Sequence, residues 1–106
     1  MQQELIQEIN QQFAVTVPGD TGKDALIQIL ATRINELIMH DFSFLVHILY
    51  RMDVSEQKLK KLLQENKDTD AGKIIAVMVI ERQLQKIKSR QENSREDHSI
   101  NEDEKW

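Results

Sequence analysis

The side chains able to do chemistry in this sequence are few and far apart. There are three histidines, His40, His47 and His98, and no cysteine, which removes thiolate metal sites, disulfides and cysteine nucleophiles. Glu36 and His40 are four residues apart, so on a helix they share a face and could chelate one ion. A metal-dependent site here reaches three protein ligands only if Asp41 or Asp53 folds in. His47 does not complete the set, because two helical turns place it about 10 Å along the axis from His40. Ser43 and Ser55 have no His–acid pair beside them and suit helix caps better than nucleophiles. Tyr50, Arg51 and Asp53 could form a polar cluster, but a solvated contact explains them as well.

Val17-Pro18-Gly19-Asp20-Thr21-Gly22-Lys23 has the look of a phosphate-binding loop, since a Gly-Lys pair precedes an expected helix. Such a loop needs a first glycine where Val17 stands and a hydroxyl on Mg²⁺ where Asp24 stands. An aspartate there repels phosphate. The segment is expected to be a turn and a helix start, with Thr21 and Asp24 as a capping pair.

A third possibility is a helix-turn-helix over residues 48–62. Ile48, Met52, Val54, Leu59 and Leu62 have the spacing of its buried positions, and Gln57, Lys58, Lys60 and Lys61 would face DNA. Leu49 stands where a small residue usually packs, and Asp53 stands where the turn usually has glycine. No set of groups meets the requirements of a catalytic pocket, so no enzyme activity and no cofactor are expected.

The elements that must position these residues are all helical. Leu5, Ile6, Ile9 and Phe13 mark a helix over 3–13. Ala25, Leu26, Ile29, Leu30, Ile34, Leu37 and Ile38 mark a second, ending near His40. Nothing in the sequence decides whether the chain bends at His40–Asp41 or continues straight. A third helix carries Phe42, Leu45, Val46, Leu49 and Met52, with Phe44 and Ile48 beside them. Apolar over most of its circumference, it is expected to be central. Asp53 and Glu56 resemble a cap for a fourth helix, with Leu59, Leu62 and Leu63 inward. The fifth is expected from about Ala71 to Gln91. Its residues Val77, Ile80, Leu84 and Ile87, spaced three, four and three apart, form a short heptad seam. The first helix looks too short to cover that seam, so the seam is the candidate interface for a homodimer.

Composition agrees with this outline. The 106 residues include three Gly and one Pro, too few turn residues for a β-sandwich or barrel. The net charge of −4 resides entirely in residues 92–106; residues 1–91 balance twelve acids with twelve bases. A neutral body shows no broad basic face for nucleic acid or anionic lipid. Met1–Leu5 lacks the features of a signal peptide, and the longest apolar run, Ile74–Ile80, is far too short to cross a bilayer. The sequence therefore predicts an all-α protein, a bundle of four to five helices over 1–91 with a disordered acidic tail over 92–106. It is expected to be cytoplasmic and off the membrane. Its expected role is a non-enzymatic interaction module, homodimeric through Val77, Ile80, Leu84 and Ile87 or bound to a protein partner. DNA binding through 48–62 is the alternative, and the Glu36/His40/Asp41 metal site is the third reading.

Overall fold

A computed structural model describes residues 3–100, with side chains described over 3–92. Five helices run in chain order: α1 (Gln3–Phe13), α2 (Lys23–His40), α3 (Phe42–Arg51), α4 (Glu56–Glu65) and α5 (Ala71–Ile100). No strand occurs among the described residues. None of these helices is long and apolar enough to cross a membrane.

The bundle is organised around the α2–α5 pair, with α1 and α4 packed on α5 and α3 on α2. Leu26, Leu30, Ile34 and Leu37 of α2 meet Ile75, Ala76, Val79 and Ile80 of α5 in a single buried cluster, closed by Leu5, Ile6, Ile9 and Phe13 of α1. Ala25 and Ile29, expected on the buried stripe of α2, turn outward, and Ala31 is buried instead. The two long helices approach closely at Gly72. A Cβ there would lie 2.6 Å from the Ala31 carbonyl oxygen and from the Asn35 side chain. Glycine at this helix position is therefore a packing requirement, which outweighs its poor helix propensity. Asp70 caps α5 by accepting from the Lys73 N–H at 3.0 Å, and it also accepts from Asn35 Nδ2 at 2.9 Å, tying the start of α5 to α2.

The local signals differ from the sequence expectation in instructive ways. The N-cap of α2 is Gly22, which supplies no side-chain bond, and the expected Thr21–Asp24 capping pair does not form. Thr21 instead closes the Pro18–Gly19 turn, its N–H donating to the Pro18 carbonyl at 3.1 Å. The loop after α1 is held by Asn10, whose side chain bonds both the N–H and the carbonyl of Val17 (2.7 and 3.1 Å), so that Val17 is buried. Asp41 settles the junction left open by the sequence: the chain bends there. Its N–H donates to the Leu37 carbonyl to end α2, and its carboxylate accepts from the Phe44 N–H at 3.2 Å to begin α3. The cap of α4 is Ser55, not Asp53, with Ser55 Oγ accepting from the Lys58 N–H at 3.2 Å. At the other end of the molecule α5 continues past Gln91 to Ile100. Gln91, Glu92, Arg95 and Glu96 are good helix formers, and extending an existing helix requires no new nucleus. The expectation for residues 101–106, Trp106 included, lies outside the described residues.

Candidate functional site

The heptad seam of α5 is largely covered within the chain. Ile80 is fully buried and Ile87 is 4% exposed, while Val77 and Leu84 are half-buried. The first helix does reach the seam: α1 lies along the later part of α5, and its Glu4 pairs with Arg90. Ile80 and Ile87 of the expected interface thus belong to the protein's own core, while Val77 lines the groove beside α4.

The exposed apolar surface lies on α3. This helix is peripheral, not central. It turns Leu45, Ile48 and the following Met52 inward against the core. Its opposite side carries Phe42, Val46 and Tyr50, four residues apart and 59%, 48% and 83% exposed. Met39, in the last turn of α2, adds to them at 77%. Large apolar side chains aligned on one exposed helix face are the kind of surface that marks an interaction site. The only charged residue within α3 is Arg51, in its last turn.

The segment after α3 is tied down firmly. Asp53 adopts a left-handed conformation (φ 65°), and the Val54 N–H donates back to the Leu49 carbonyl at 3.1 Å, the arrangement of a helix C-terminal motif. Aspartate tolerates this conformation better than most residues, so the turn forms without the glycine it usually carries. Two side chains of α5 satisfy the carbonyls exposed there. Gln83, buried, donates to the Met52 carbonyl at 3.0 Å. Arg82 donates to the Asp53 carbonyl and to its carboxylate, both at 3.0 Å. The possible cluster of Tyr50, Arg51 and Asp53, against which a solvated contact is the expected reading, does not form, because Asp53 pairs with Arg82 of α5.

Helix α4 is held less closely. None of its residues is fully buried, and Leu59, Leu62 and Leu63 are half-buried. Between α4 and α5 runs an open groove of about 790 Å³, with Val54, Leu62, Ile74, Val77 and Met78 among its apolar lining and Lys58 and Lys73 among its polar lining. Gln57, Lys58, Lys60 and Lys61 are all exposed, as a DNA-facing helix requires, but Lys60 is paired with Glu56 at 3.3 Å.

Glu36, His40 and Asp41 do line one shallow depression, of about 430 Å³, together with Arg33. They are not joined as ligands: among the described residues no three His, Asp or Glu side chains come together around a point that could hold a metal ion. Glu36 pairs with Arg33 at 3.4 Å and Asp41 is engaged in capping α3.

Sequence reasoning missed Phe42, Val46 and Tyr50 as surface residues, because a helix apolar all round reads as buried whichever side faces out. It also missed Arg82 and Gln83, whose role depends on a turn distant in sequence. The chain matches no protein-family model, no curated protein and no solved structure.

Proposed function

We propose that this protein is a small non-enzymatic helical interaction module, and that its docking surface is the outer face of α3 rather than the seam of α5. The observation that carries this reading is the stripe Phe42, Val46 and Tyr50 on a helix whose other side is anchored in the core. Exposing these side chains to water gains nothing for folding, whereas burying them against a partner is favourable by about 25 cal/mol per Å². The bundle supports that use, since α3 begins at a capped bend and ends at a turn fixed by Arg82 and Gln83. A face so held loses little conformational freedom on binding.

The test is site-specific photo-crosslinking in the cells that make the protein. A photoreactive phenylalanine derivative replacing Tyr50 should give discrete protein adducts, and the same group at exposed Lys88 should give none. A folded protein that forms no adduct from position 50 would overturn the reading.

DNA binding is supported by one observation, the left-handed turn at Asp53 followed by a helix that exposes Gln57, Lys58, Lys60 and Lys61. Titration of duplex DNA at several salt concentrations tests it. A reader loses affinity steeply as salt rises, and replacing the three lysines by alanine flattens that slope. Absence of binding at low salt ends this reading.

A further inference from the structure

Helix α4 is fastened at its ends more than along its length. On the side of α3, Gln83 and Arg82 of α5 donate to the Met52 and Asp53 carbonyls. On the side of α5, Asp70 is tied to Asn35 of α2. Between these anchors the side-chain bonds stay local. Ser55 Oγ accepts from the Lys58 N–H, Glu56 pairs with Lys60, and Asn66 Nδ2 donates to the Leu62 carbonyl. None of them crosses to α5 among the described residues. Of the three leucines of α4, Leu59 alone packs against the core cluster. Leu62 lines the groove, and Leu63 is half-buried. Across the groove Met78 of α5 is only 9% exposed, yet it lies outside the core cluster, so the side chains that cover it lie on the α4 side.

We infer that α4 is a detachable strap, which leaves α5 and melts as one unit while α1, α2 and α5 stay folded. Detachment and melting go together, because a helix of ten residues is too short to persist in water without support. Segments with few buried apolar contacts open at a small fraction of the free energy of global unfolding. The anchors at Asp53 and Asp70 set the limits of the opening and return the strap to its place when it re-forms. While open, it uncovers Ile74, Val77 and Met78, an apolar strip of α5 that is half-buried or buried when the strap is closed. This device does not depend on what the α3 face binds.

Native-state hydrogen exchange on the wild-type chain tests the strap. After correction for intrinsic rates, the amides of Leu59 to Asn66 should exchange at one common level, about a hundredfold or more faster than those of Ile75 to Ile80. Low denaturant should barely change that level, since the opening exposes little surface, whereas the α5 amides should speed up steeply. Protection in α4 equal to that in α5 would overturn the inference. Rates graded from the ends of α4 to its middle would also overturn it, since they report fraying and not a unit. Val79→Ala supplies the second reading, because Val79 is fully buried in the core cluster and that cluster stays folded when the strap opens. It should speed exchange in α2 and α5 about tenfold or more and leave α4 unchanged. Equal acceleration in α4 and α5 would show that α4 opens only with the whole protein, and would overturn the strap.

Discussion

The long α2–α5 pair and the two short helices α3 and α4 all carry apolar residues but use them differently. Along the facing sides of α2 and α5, Leu26, Leu30, Ile34, Val79 and Ile80 are fully buried and the backbones approach until only glycine fits at position 72. Along α3 and α4, α3 is buried on one side only and α4 has no fully buried residue. The contrast shows where hydrophobicity serves folding and where it remains for another purpose. In α5, apolar residues all round the helix are shared among α1, α2 and α4; in α3, the second apolar side, Phe42, Val46 and Tyr50, is exposed among the described residues.

If the α2–α5 pair carries the stability, substitutions there should be costly and those on the outer faces of α3 and α4 mild. Ile80→Ala removes a fully buried side chain at the centre of the pair and should destabilise by about 2–5 kcal/mol, read from chemical denaturation. Gly72→Ala forces a methyl against the Ala31 carbonyl and should cost about 1–3 kcal/mol, although alanine favours helix at an unconstrained site. Gln83→Ala would leave the Met52 carbonyl without its donor, for a loss of about 1–3 kcal/mol. Native-state hydrogen exchange on that variant should show the α3–α4 turn loosened more than α2. Val46→Glu on the outer face of α3 should change stability by no more than about 0.5 kcal/mol when measured at high dilution. Equal costs for Ile80→Ala and Val46→Glu would break the comparison.

Much of the fold was legible in the sequence because its signals are local. The spacing of Leu5, Ile6, Ile9 and Phe13 gives α1 its limits and its buried face, and Pro18–Gly19 gives the turn. The polar run ending in Asp70 gives the cap of α5. What failed was the assignment of partners. Periodicity shows that Val77, Ile80, Leu84 and Ile87 share a face, but not that Ile80 and Ile87 are buried within the chain. It shows that α3 is apolar on both sides, but not which side turns to the core. The left-handed Asp53 and the tight fit at Gly72 arise from tertiary contacts, with Arg82 and Gln83 in one case and Ala31 in the other. No local pattern encodes them. The sequence pointed to the seam of α5, whereas the exposed apolar stripe lies on α3.

The central claim is that the outer face of α3 is a surface for assembly and not a part of the core. The most direct measurement is photo-crosslinking from position 50, beside the melting temperatures of the wild type and of Val46→Glu in dilute solution. The account predicts discrete protein adducts from position 50, lost in the Val46→Glu background, and a Val46→Glu variant that melts at the same temperature as the wild type. No adduct from the folded protein, or a Val46→Glu variant that unfolds, would contradict it.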